Sequence, residues 1–386
     1  MKNKKLVMIP GPTPTVNSIM VQMGRETVSF KDSEFVKDFK ELVIDLKDMW
    51  EAEECFVLSG TGTMAMEVAV ANSVKTGDNV LVVSHGYFGD RFIDIFERRG
   101  INTDVLSSEW GKAVPIDQIE AKLKEKHYHA ITVTHVDTST GTRSEIAKIG
   151  EILKKFPDTL YIVDGVCSTA GEKENLKEMG IDILFTASQK AFGVSPGLAI
   201  IWAGPKAMER RKNLKTIADS YLDFEKWMPI MHDPMKYYGT PPINLIWALK
   251  ESVRIIKEEG LEARFERHLK DARAIQKALE SLGFSILADT QNRAVTLTNV
   301  VYPEGIDDDQ FRAILTEEGV VTANGLGAYS GKLFRLGHMG NIDKHTIVST
   351  LAAIERALYR SGVEVQFGKS VGIYMTEVMQ SKGFLG

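Results

Sequence analysis

Residues 182–197 read DILFTASQKAFGVSPG. The apolar run at 182–188 has the length and composition of a buried strand, and it delivers Lys190 just past its carboxyl end. A long flexible cation normally lies in solvent, so a lysine here either snorkels outward or is held in a pocket for chemistry. Five further runs share the pattern: ECFVLSG (54–60), NVLVVSHG (79–86), AITVTHV (130–136), LYIVDGV (160–166) and GLAIIWAG (197–204). Between most of them lie amphipathic helical stretches, TMAMEVAVANSV, FGDRFIDIFERRG, IDQIEAKLKEK and SEIAKIGEILKKF, each with a charged face opposite an apolar one. Strand and helix alternating in this way predict an α/β fold, a mostly parallel sheet sandwiched by helices. Such sheets bind ligands beyond the carboxyl ends of their strands, which directs attention to the residues that follow each run.

From about Pro242 the pattern changes to long helical stretches, short strand-like pieces (SILAD, AVTLTNVVY, VVTAN, LFRLGHMG) and a last helix at KHTIVSTLAAIERALYRSG. This predicts a smaller α+β C-terminal domain. The expected division is an N-terminal arm over 1–20, a large cofactor-binding domain over 21–250 and a small domain over 251–386, with 364–386 a tail of no strong pattern. A chain of 386 residues is ample for two cores.

Composition narrows the function. A net charge of −5 with acids and bases interspersed gives no footprint for nucleic acid, so small molecules are the expected partners. The two cysteines, Cys55 and Cys167, sit in or beside apolar runs and are too few for a disulfide framework or a zinc site. They read as buried and reduced, which points to the cytoplasm. The N-terminal MKNKKLVMIPGPTP is too short in its apolar part, and too broken by prolines, for a signal segment. No stretch reaches membrane-spanning length, and no metal site is expected.

The strand ends carry the chemistry. After 54–60 comes S-G-T-G-T, ending in Thr61, Gly62 and Thr63 and opening a helix. It is either a plain capping turn or a cradle for a phosphate at a helix N-terminus. After 79–86 come Tyr87 and Phe88, which are core aromatics or a platform for a flat ring. After 130–136 comes a dense hydroxyl cluster containing Thr138, either a turn held by its own side chains or a donor to a ligand oxygen. Asp164 ends a wholly apolar run as a cap or as a buried carboxylate awaiting a cation. Ser188, Gln189 and Lys190 end another. Together these are the parts that hold pyridoxal 5′-phosphate (PLP): a lysine for the Schiff base, an aspartate for the pyridine nitrogen, an aromatic over the ring and a phosphate cradle.

With these residues in view, the chain resembles the class V aminotransferases of fold type I, and within them the alanine:glyoxylate and serine:pyruvate aminotransferase group. The resemblance runs through P-G-P-T-P, S-G-T-G, V-D-G-V, S-Q-K-A, S-Y-L-D, Y-Y-G-T-P-P and F-R-L-G-H-M-G in order. It implies Lys190 as the Schiff-base lysine and Asp164 as the partner of the pyridine nitrogen. Phe88 stands where relatives carry a stacking aromatic, usually tryptophan, and Thr138 where a hydroxyl meets the ring hydroxyl. Thr61, Gly62, Thr63 and Gln189 match the phosphate cradle, and Val166 lies under the ring. Arg335 matches the clamp for the substrate α-carboxylate, a role its fork suits. Tyr237 and Thr240 are implied to reach the phosphate of a neighbouring subunit, which makes the expected assembly a homodimer with shared active sites.

The implied activity is ping-pong transfer of an amino group from a small amino acid, alanine or serine, to glyoxylate or pyruvate. Aspartate and 2-aminoethylphosphonate transaminases share the cofactor residues and stay open, with His338 and Lys332 as possible second cations. A cysteine desulfurase lacks its C-terminal nucleophile here. A nucleotide-binding α/β module would leave Lys190 and Asp164 without a common purpose.

Overall fold

The computed structural model describes residues 5–380. Seven strands make the central sheet: β1 (Glu54–Gly60), β2 (Asn79–Ser84), β3 (Asn102–Ser107), β4 (Ala130–Thr134), β5 (Leu160–Asp164), β6 (Ile183–Ala187) and β7 (Gly197–Ala203), in the order β1-β7-β6-β5-β4-β2-β3. Strands β2 to β6 pair in parallel, and β7 runs antiparallel to both β1 and β6. Strand β4 therefore lies on the opposite side of β2 from β3, and the change of direction opens a crevice between the loops that follow β2 and β4. Because β7 returns antiparallel to β6, the segment 188–196 is a reversing connection at the sheet's carboxyl edge. Ser188 closes it, donating from Oγ to the Ser195 carbonyl at 2.8 Å and accepting from the Leu198 N–H at 3.2 Å.

Helices cover both faces, as the apolar content of the strands requires: β4, β5 and β6 are buried along their whole length. The helix Ser33–Trp50 shows the local logic. The Asp32 carboxylate accepts from the N–H groups of Glu34 and Phe35 at its start, and Phe35, Phe39, Leu42, Val43, Leu46 and Trp50 form one buried stripe.

A second core gathers around a four-stranded antiparallel sheet of β8 (Ser285–Ile286), β9 (Leu297–Val301), β10 (Ala323–Asn324) and β11 (Leu333–Gly337), ordered β8-β9-β11-β10. The N-terminal segment belongs partly to it. Leu6–Val7 pairs in parallel with Val320–Val321, and the Gly337 N–H donates to the Met8 carbonyl at 2.8 Å. The segment at 364–386, read from sequence as patternless, contains a helix, Lys369–Gln380. It buries Ser370, Tyr374 and Val378, one residue per turn, against Leu261–Glu280, and Tyr374 donates its hydroxyl to Asp271 at 2.8 Å. Such a sparse stripe leaves little trace in hydropathy. Residues 381–386 lie outside the described part. Among the described residues no helix is long and apolar enough to cross a membrane.

Candidate active site

The strand tips converge on a cavity of about 140 Å³. Strand β1 contributes Thr61, Gly62 and Thr63; the loop after β2 contributes Phe88; the loop after β4 contributes Thr138. Asp164 and Val166 enter from β5, and Gln189 and Lys190 from β6. A larger hollow of about 560 Å³ elsewhere has its arginines already engaged, Arg99 with Glu67 and Asp219 and Arg98 with Asp94, so volume alone does not select the site.

Thr61 is the N-cap of the helix Gly62–Ala71, yet its side chain makes no capping hydrogen bond, so hydroxyl and helix N-terminus both remain for a ligand. Asp164 caps no helix: its Oδ1 accepts from the Val166 N–H at 2.9 Å. Burial pushes this carboxyl up to about 7, with the charge of Lys190 pulling the other way. A buried carboxylate with a single N–H bond of this kind is stabilised by a cationic N–H placed opposite it. The Gln189 side-chain oxygen is buried without a hydrogen-bond partner among the described residues. Gly62 packs so tightly on Val166 that a Cβ would stand 2.8 Å from Cγ2.

The Lys190 amine donates to the Pro10 carbonyl at 2.6 Å, and Thr13 bonds the same connection from the other side, N–H to the Gln189 carbonyl at 3.0 Å and Oγ1 to the Lys190 carbonyl at 2.7 Å. The N-terminal arm thus clamps the residue that the sequence singled out. Phe88 is positioned by Asp137, a fully buried residue that sequence reasoning passed over. Its Oδ2 accepts from the N–H groups of Phe88 and Gly89 at 2.9 and 3.0 Å, capping the helix Tyr87–Arg98 from outside, while Oδ1 holds Ser139. Thr138 Oγ1 meets Cys167 Sγ at 2.5 Å.

Arg335, on β11, does not line the cavity, but it is carried close to it. Its register partner Asn299 on β9 donates to the Ser139 carbonyl at 2.7 Å, tying this sheet to the Thr138 loop. Burial lowers the Arg335 pKa, with Cys167 and Asp137 opposing, and its Nε donates to the Asn324 carbonyl at 2.8 Å. His338 is no cation: burial drives it down to about 3, and its ring nitrogen bonds Thr298 at 2.9 Å. Lys332 is exposed, with its amine 5.8 Å from the Tyr329 ring centroid. Tyr237 and Thr240 are exposed and stand 3.4 Å from one another, outside the cavity of their own chain. Four further lining residues, Met66, Arg91, Val136 and Cys167, were not assigned to the site from sequence.

The family model for class-V aminotransferases matches residues 18–338. The chain belongs to the class-V aminotransferases. It is 37% identical over 366 residues to an uncharacterized aminotransferase of Methanocaldococcus jannaschii, covering 94% of this chain and 95% of the relative. It is 31% identical to a serine–glyoxylate aminotransferase of Hyphomicrobium methylovorum over 95% of this chain and 92% of that one. Among solved structures it resembles an alanine–glyoxylate aminotransferase from Nostoc sp. with a TM-score of 0.88 and 32% identity, covering 93% and 96% of the two chains. The protein is a PLP-dependent aminotransferase. The residues present fit PLP: a buried acid with no ion-pair partner among the described residues, a lysine amine at the same cavity and a small-residue helix start whose N-cap side chain makes no capping bond.

Proposed function

We propose that this class-V aminotransferase moves an amino group from alanine or serine to glyoxylate or pyruvate. Lys190 would hold PLP covalently, and Asp164 would pair with its ring nitrogen. Thr61, Gly62, Thr63 and Gln189 would receive the phosphate. Phe88 and Val166 would enclose the ring, and Thr138 would meet its hydroxyl. The observation that carries this reading is the meeting of Lys190 and Asp164, delivered by adjacent strands, at one cavity with the Thr61–Thr63 helix start. Bound PLP supplies an electron sink for the substrate α-carbon. Lys190 Nζ is the base that takes the α-proton of the donor, and Arg335 orients the donor by gripping its carboxylate in a two-pronged bond. An ionised Asp164 keeps the ring nitrogen positive while charge develops.

Small donors are favoured because the cations expected for a second carboxylate are not available: His338 is buried and held neutral, and Lys332 is exposed. Glyoxylate is favoured by the relatives named above. We further propose a division into large and small domains near residue 250, supported by the two separate cores, and a homodimer in which Tyr237 and Thr240 serve the neighbouring site. The free thiols of Cys55 and Cys167, both buried, support a cytoplasmic setting. The test is a screen of amino donors against glyoxylate, pyruvate and 2-oxoglutarate. The highest kcat/KM should fall to alanine or serine with glyoxylate or pyruvate. A preference for aspartate or 2-aminoethylphosphonate contradicts the substrate assignment.

A further inference from the structure

We propose that Arg91 supplies the positive charge that binds the cofactor phosphate, a role that rests on the PLP reading above. A phosphate monoester carries a charge of about −1.5 to −2 at neutral pH. The cradle residues Thr61, Gly62, Thr63 and Gln189 are all neutral, and a helix N-terminus offers only about half a positive charge. Lys190 has its amine on the Pro10 carbonyl and its chemistry at the other end of the cofactor. The charge balance of the site therefore calls for one more cation, and Arg91 is the remaining positively charged residue among those lining the cavity.

The geometry places it at the right end. Arg91 Nη1 donates to Thr63 Oγ1 at 2.8 Å, so the guanidinium already sits beside the cradle. It lies one turn after Phe88 on the helix Tyr87–Arg98, on the same face, with its carbon 5.1 Å from the Phe88 ring centroid and 5.4 Å from that of Tyr87. Both aromatic rings hold the guanidinium in place without neutralising it. Nearby acids are engaged elsewhere: Asp90 accepts from Ser84 at 2.6 Å, and Asp94 pairs with Arg98 at 2.8 Å. Among the described residues no carboxylate stands within ion-pair distance of Arg91. The remaining guanidinium donors have the planar fork that matches phosphate oxygens. The same face that carries the ring platform thus carries the phosphate cation, so Arg91 discriminates phosphorylated from unphosphorylated pyridoxal.

The test is the affinity of the cofactor-free enzyme for PLP and for pyridoxal, titrated spectroscopically in wild type, Arg91→Gln and Arg91→Lys. Arg91→Gln should weaken PLP by about 10- to 100-fold, the loss of one charge-assisted hydrogen bond, and leave pyridoxal unchanged; Arg91→Lys should fall between. Equal weakening of both ligands, or unchanged PLP affinity with a raised KM for dicarboxylic donors, overturns the proposal in favour of a packing role or a substrate clamp. Should Arg91→Gln lose its fold, Arg91→Lys decides alone, and an unaltered ratio of PLP to pyridoxal affinity overturns it. A wild-type enzyme that binds neither ligand overturns the PLP reading and this inference with it.

Discussion

The Lys190 amine and the Pro10 carbonyl oxygen are joined by a 2.6 Å hydrogen bond across 180 positions of chain. Gly11, the next residue, has φ of +127°, and a Cβ there would stand 2.6 Å from Lys190 Nζ. The four-stranded sheet holds the same N-terminal segment through Met8, so that segment fixes the lysine from outside the connection that bears it. Replacing Gly11 by alanine is expected to displace the amine and lower kcat by roughly 10- to 100-fold, the scale for misplacing a reacting group. Circular dichroism should show the fold retained. Wild-type turnover in Gly11→Ala would show that the arm does not position Lys190.

Asp164 gives a pH signature. Its folded-state value of about 7 exceeds the usual 3.8. Between those values the folded cofactor-free protein keeps a proton that the unfolded chain has released. Its contribution to stability is therefore complete below about pH 4 and is lost as pH rises to about 7, at about 1.4 kcal/mol per pH unit. Melting of the cofactor-free enzyme should show this decline in wild type and not in Asp164→Asn, which should be the more stable above pH 7. With PLP bound, Asp164→Asn should lose turnover far more than cofactor occupancy. Identical pH profiles for the two cofactor-free proteins would contradict the buried, weakly solvated carboxyl.

Legibility followed burial. Strands β1, β2 and β4 to β7 announce themselves as apolar runs, whereas β3 (Asn102–Ser107), an edge strand with polar Asn102, Thr103 and Asp104 and no buried residue, does not. At the site, residues at strand tips can be located from sequence because each ends a visible run. Arg91 comes from the solvent-charged face of a helix and Asp137 acts through the backbone of another loop, so neither leaves a local mark. The contact of Pro10 with Lys190 exists only once the arm has crossed to the sheet.

Arg335→Lys keeps charge and loses the fork. If the guanidinium grips the donor carboxylate, kcat/KM should fall by roughly tenfold or more, with KM rising, as expected for a charged hydrogen bond worth about 1.5–3 kcal/mol. Unchanged steady-state kinetics with every active donor would move the carboxylate site elsewhere.

Tyr237 and Thr240 are exposed in their own chain and stand apart from its cavity. If they complete the neighbouring subunit's phosphate site, mixing inactive Lys190→Ala with inactive Tyr237→Phe/Thr240→Ala should yield hybrid dimers with one intact site. Up to about half of the per-site activity should return. Absence of recovery in proven hybrids would assign the segment to no shared site.

Attachment of the cofactor to Lys190 is the most direct test. Purified enzyme treated with borohydride, digested and mapped by mass spectrometry should show the reduced pyridoxyl group on the peptide containing Lys190, and Lys190→Ala should retain its fold but acquire no label. Label on a different lysine of the wild-type enzyme would contradict the account.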